Sequence, residues 1–294
     1  MMIRMRWRTL CATLAAATSL SPAVGQTLAS PAQAEICAAL PPASTDDLAL
    51  LTKLMVEPHK FESLADLLKG LPPEAMAKMG TMQKTAADRQ VKDWPNLCRY
   101  AAENATVIAS GTRPDAVFMG DSITDNWKYG DSTLFNAKVL DRGIGGQTTP
   151  QMLLRFYPDV VALHPRTVHI MAGTNDVSGN TGVETDDTIV SNLRAMIDIA
   201  QVNHIRVVLS AITPSKAFVA RPKIDPSQRI AAVNKQLARL AADMRVTWVD
   251  YTSVLANSAG GLAAELGNDG LHPNRDGYAI MRPLTDRALK RASR

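Results

Sequence analysis

From Arg113 onward, short apolar runs of β type alternate with longer stretches of helical periodicity, and this alternation limits the possible folds more than any other feature. The runs are Ala116 to Met119, Lys138 to Leu140, Thr167 to Met171, Arg206 to Ile212 and Thr247 to Val249; the amphipathic stretches between them include Asp186 to Val202 and Ser227 to Ala242. Strands separated by helices of this length cannot pair as hairpins. They build βαβ units, a parallel sheet with helices on both faces. Loops that follow parallel strands gather at one edge of the sheet, so residues far apart in sequence converge there.

The first 112 residues follow other rules. Arg4, Arg6 and Arg8 precede an apolar run, Leu10 to Leu20, too short to span a bilayer comfortably, and small-residue sites follow at Ala23-Val24-Gly25 and Ala32-Gln33-Ala34. This reads as a secretory signal peptide within residues 1–34, cut after Gly25 or after Ala34. Residues 35–112 read as a helical extension. Leu48, Leu51, Leu54 and Met55 recur at helical spacing, as do Leu64, Leu67 and Leu68, with Thr45 or Asp46 as a cap and Gly70-Leu71-Pro72-Pro73 as a stop. The catalytic unit would then span 113–294. Of 32 basic residues three lie in the leader, so 29 face 28 acidic ones, a balance that gives a nucleic-acid partner no support. No later segment suggests stable membrane insertion. In an exported chain, the two cysteines left after cleavage, Cys37 and Cys98, are candidates for one disulfide.

Four segments fall where the strands end or the last helix begins: Gly120 to Asp125 (GDSITD), Gly143 to Thr148 (GIGGQT), Gly173 to Asp176 (GTND) and Asp269 to Asn274 (DGLHPN). Ser122 directly follows the first strand. A serine hydroxyl needs a base to become a nucleophile, and neutral histidine suits that task. Of five histidines, His59 lies in the extension, His164 and His204 precede strands and so belong to the opposite edge, and His169 lies inside a strand. His272 remains. Asp269, three residues earlier, is placed to orient it. The N–H groups of Ser122 and Gly146 and the amide of Asn175 can receive an oxyanion. Each residue also has an ordinary use: Asp269 as a turn former, Gly146 as a turn glycine, Asn175 as a helix cap.

In order and spacing, the four segments resemble the blocks of the SGNH, or GDSL-type, hydrolases over about residues 113 to 290. The resemblance implies a flavodoxin-like three-layer α/β/α fold around a parallel sheet of about five strands. It also implies metal-free and cofactor-free ester hydrolysis, with Ser122 as nucleophile, Asp269 and His272 completing a triad, and Ser122, Gly146 and Asn175 forming the oxyanion hole. Arg142 stands where many members carry Asn.

The expected function is therefore that of an exported, periplasmic or secreted serine esterase acting on a small-molecule, carbohydrate or lipid ester: an O-acetylated carbohydrate or a lipid or lysophospholipid acyl ester. Loops Val177 to Asp187 and Thr213 to Pro226 should shape its pocket, and Lys216, Arg221 and Lys223 in the second suggest an anionic substrate group or else an ordinary solvated surface. Trp127, one helical turn beyond Ser122, would line the acyl side or fill the core. Two alternatives are a metal-dependent phosphohydrolase using Asp121, Asp125, Asp176 and Asp269, and a catalytically silent carbohydrate-binding protein on the same fold.

Overall fold

A computed structural model describes residues 31–40, 56–57, 69, 73–182, 184–218 and 223–294. The proposed leader through residue 30 and the extension's leucines at 48, 51, 54, 64, 67 and 68, with Met55, lie outside the described residues. So do His59 and Arg221.

Among the described residues, α1 (Pro31–Ala39), α2 (Pro73–Lys92) and α3 (Ala101–Ala109) precede the sheet. Then β1 (Ala116–Gly120), α4 (Ser122–Gly130), β2 (Val139–Gly143), α5 (Thr149–Asp159), β3 (Thr167–Met171), α6 (Thr174–Ser178), α7 (Asp186–Val202), β4 (Arg206–Ser210), α8 (Ser227–Asp243), β5 (Thr247–Val249), α9 (Thr252–Leu255) and α10 (Arg275–Ala292) alternate to the end. All strand pairings are parallel, in the order β2-β1-β3-β4-β5. The chain leaves β1 toward one side for β2 and returns to its other side for β3. Such a reversal opens a crevice outside the strand ends.

Successive strand residues face opposite sides, and the core divides accordingly. Val117 and Met119, Val168 and Ile170, and Val207 and Leu209 join the cluster under α5, α7 and α8. Ala116, Phe118, Val208 and Val249 join the cluster under α4 and α10. The helices match this pattern. In α7, capped by Thr185 through the Thr188 N–H, Ile189, Leu193, Met196, Ile197 and Ala200 are buried at helical spacing. The sequence pattern placed the second strand at Lys138 to Leu140, but it runs two residues past Asp141, because both polar side chains of its C-terminal half find partners. Asp141 meets Lys128 at 2.9 Å, and Arg142 reaches Asn104 at 2.9 Å.

The extension packs against this unit. Cys37 and Cys98 are joined across a sequence separation of 61, with Cα atoms 5.4 Å apart. A cross-link closing so long a loop restricts the unfolded chain and is worth about 4 kcal/mol in the chain-entropy account. Reduction should therefore lower the melting temperature by roughly 10 °C, measured by calorimetry with and without reductant. An unchanged melting temperature would show that the bridge does not restrict the unfolded chain as this account requires.

Candidate active site

Gly120 ends β1 where a side chain cannot fit: a Cβ there would lie 2.0 Å from Thr124 Oγ1 and 2.8 Å from the Met171 carbonyl. The chain can therefore turn tightly from strand into α4. Asp121 caps that helix, its carboxylate accepting the Ile123 N–H at 2.9 Å. Ser122 is the first helical residue, and its own N–H, like all in a first turn, has no partner within the helix.

The histidine arrives from the opposite end of the chain. The loop before α10 folds around Asp269, whose Oδ1 accepts the N–H groups of Leu271 (3.0 Å) and His272 (2.8 Å) while Oδ2 meets His272 Nδ1 at 2.6 Å. Gly270 between them holds φ +75°, a conformation that favours glycine. The second ring nitrogen, Nε2, lies 2.8 Å from Ser122 Oγ. With Nδ1 donating to Asp269, Nε2 is left to accept the serine proton. Burial alone would raise the Asp269 pKa, but the adjacent imidazolium and the hydrogen bonds from His272 and Leu271 prevail and hold it down at about 2. For His272, burial disfavours the charge, yet the Asp269 carboxylate outweighs it and raises the pKa above 6.5, with Asp121 adding to the effect.

The glycine loop after β2 lies beside the serine. A Cβ on Gly145 would lie 3.8 Å from Ser122 Cβ, and Gly146 holds φ +78°. Asn175, at the start of α6, is buried and donates one amide hydrogen to the Gln147 carbonyl at 3.0 Å, leaving the other for a ligand. Asn180 fixes its orientation, donating to Asn175 Oδ1 at 2.8 Å and to the Gly146 carbonyl at 3.2 Å. The loop before α10 and the three strand-end loops thus converge on one edge.

Trp127 lies elsewhere. It is fully buried, stacked on Tyr278 at 5.3 Å and edge-on to Phe118 and Tyr251, both at 5.9 Å. It follows Ile123 by four residues, so it shares the face of α4 that packs on the sheet and cannot line the site. His169 is also a core residue, with Nε2 3.0 Å from Tyr251 Oη and its pKa pressed down to about 3 by burial. In the Thr213 to Pro226 loop, Lys216 pairs with Asp225 at 3.4 Å, so that charge is partly balanced within its own loop. The four acids considered as metal ligands do not cluster. Asp121 caps α4, Asp125 meets Lys128 at 2.8 Å, Asp176 holds the Thr149 N–H at 3.0 Å, and Asp269 holds His272. Among the described residues, no three His, Cys, Asp or Glu side chains form a group able to hold a metal ion.

The sequence profile of the GDSL-like Lipase/Acylhydrolase family matches residues 118–280, from the strand before Ser122 to the helix after His272. The chain belongs to the GDSL-like family. Among solved structures, a Bacteroides fragilis protein named as an acylhydrolase is 38% identical, with 69% of this chain and 99% of that one covered at a TM-score of 0.65. A GDSL-like lipase from Bacteroides thetaiotaomicron is 35% identical, with 68% and 100% covered at 0.64. The uncharacterized lipoprotein YqeF of Bacillus subtilis is 39% identical over 79 residues, which are 22% of this chain and 32% of that protein, so the match spans about a third of that relative's length. Membership places the chain among the GDSL-like lipases and acylhydrolases.

Residues not singled out from the sequence also build this GDSL-like site. Arg155 is fully buried below the glycine loop and donates to the carbonyls of Gly120 (3.1 Å) and Arg142 (2.8 Å), to Asp159 (2.9 Å) and to Gln147 Oε1. Its sequence signal is an Arg-Asp pair four residues apart, flanked by the buried Met152 and Phe156.

Proposed function

We propose that this protein is an exported carboxylic ester hydrolase working through an acyl-enzyme at Ser122. The observation that carries the reading is the continuous chain Ser122 Oγ, His272 Nε2, His272 Nδ1, Asp269 Oδ2, with separations of 2.8 and 2.6 Å at its two hydrogen bonds. His272 takes the Ser122 proton as Oγ attacks the ester carbonyl, then returns it to the leaving alkoxide; water repeats the attack with the same base. The negative charge that develops on the carbonyl oxygen is received by the N–H groups of Ser122 and Gly146 and by the free amide hydrogen of Asn175. An O-acetylated carbohydrate or a lipid acyl ester is the substrate. Family membership supports the acyl-ester class. The basic and apolar leader, the disulfide and the likeness to a lipoprotein support export. No helix among the described residues is long and apolar enough to cross a membrane.

The reading is tested by labelling Ser122 with a fluorophosphonate and by a panel of acetyl, butyryl and long-chain p-nitrophenyl esters, acetylated sugars and lysophospholipids. Failure of both to react would remove it. A pH profile adds a second test. The base must be neutral, and Asp269 holds the His272 pKa above 6.5, so kcat/KM should rise with pH through a midpoint above 6.5 and fall on the acid side. Full activity at about pH 5.5 would show that His272 is not the base.

A further inference from the structure

We propose that the disulfide-held segment Asp93 to Tyr100 positions the oxyanion loop, with Gln147 as the joint between them. The inference rests on the serine-esterase reading and deepens it.

The segment is internally fixed. Asp93 accepts the N–H groups of Leu97 (2.8 Å) and Cys98 (2.9 Å), and Cys98 is bonded to Cys37. It holds the glycine loop at both ends. Before the glycines, the buried Tyr100 hydroxyl donates to the Gly143 carbonyl. After them, Gln147 Nε2 donates to the Pro95 carbonyl at 2.8 Å, and one turn further Gln151 Nε2 donates to the Trp94 carbonyl at 2.8 Å.

Gln147 connects this support to the proposed oxyanion donors. Its main-chain carbonyl accepts the Asn175 amide at 3.0 Å, and its side-chain oxygen accepts from Arg155, which also holds the Gly120 carbonyl two residues before Ser122. Its N–H closes a turn onto the Ile144 carbonyl at 3.3 Å, across Gly145 and Gly146. Those two glycines have no side chains with which to anchor themselves and retain the most backbone freedom of any residue type. Oxyanion donors act by being fixed before charge develops, so a loop of this kind requires an external support. The extension supplies it from residues about 50 positions away, outside the strand-and-helix pattern. Gln147 and the segment are positioning elements: they touch the loop that holds the donors, not the substrate.

The experiment measures kcat and KM for p-nitrophenyl acetate on oxidised full-length mature protein, comparing wild type, Gln147→Ala, Asn175→Ala, their double variant and Cys37→Ala/Cys98→Ala. Gln147→Ala should lower kcat about 10- to 100-fold, with KM changed by no more than about twofold. In the Asn175→Ala background the same change should cost less than half as much on a logarithmic scale, because one of the groups Gln147 places is already gone. The paired cysteine variant should show the same kcat loss at a temperature where circular dichroism shows it folded. An unchanged kcat for Gln147→Ala, or equal losses in both backgrounds, overturns the proposal. If Gln147→Ala does not fold, Gln147→Glu replaces it under the same criteria, since it keeps an acceptor for Arg155 and loses the bond to Pro95. A wild type that hydrolyses no ester, or a Ser122→Ala variant as active as wild type, would remove the esterase reading and this one together. An active, Ser122-dependent enzyme indifferent to Gln147→Ala removes this one alone.

Discussion

Ser122→Ala should lower ester hydrolysis by about 10⁴- to 10⁶-fold while leaving the melting temperature nearly unchanged. The reason for the large loss is that both ring nitrogens of His272 are committed: Nε2 faces Ser122 Oγ at 2.8 Å, and Nδ1 meets Asp269. Members of such a unit are not additive, so removing one removes most of what the three do together. Stability is spared because, among the described residues, Ser122 Oγ bonds His272 alone, and it begins a helix in which alanine is a good helix former. The measurement is initial-rate kinetics beside thermal unfolding. Near-normal turnover would mean that the hydroxyl does not react.

Arg155→Ala should destabilise the protein by about 3–5 kcal/mol, the usual result of leaving one member of a buried ion pair uncompensated. Both Arg155 and Asp159 are essentially inaccessible, and among the described residues Asp159 would keep Asn104 alone, at 2.7 Å. The carbonyls of Gly120 and Arg142 would each lose one donor as well, although Gly120 keeps the Ile144 N–H at 3.1 Å. The exposed pair Arg166–Asp115, solvated on both sides, should tolerate the same treatment with little change. Denaturant titration of both variants decides the matter; a small loss for Arg155→Ala would show that the cavity admits water or rearranges.

Much of the fold was legible because each level of the chain agrees with the next. The interval from Asp186 to Val202 read as a helix and is one, its buried residues being the periodic ones. β5 also falls where the apolar run placed it, at Thr247 to Val249. Disagreements arise where tertiary partners decide. The second strand continues through Asp141 and Arg142 because Lys128 and Asn104 receive their side chains, and a polar dipeptide carries no local sign of such partners. Trp127 offered two uses, and the face of α4 it occupies, set by its spacing from Ile123, puts it in the core. The candidate site was legible as four segments because each follows a strand or precedes a helix. Arg155, Gln147 and the segment behind them were not. Their roles depend on contacts between parts of the chain that no local pattern links.

Adjacent strands β2, β1 and β3 carry the glycine loop, the serine and the asparagine, whereas the described residues of the loop after β4 offer the site a brace, Ser215 Oγ to the Gly270 carbonyl at 3.1 Å. Chemistry and selection can therefore diverge independently. Insertions after β4 can remodel what enters the crevice while the reacting atoms keep their places. In a lineage of such proteins, new substrates would be met by changes in a loop that carries none of the proposed triad or oxyanion residues.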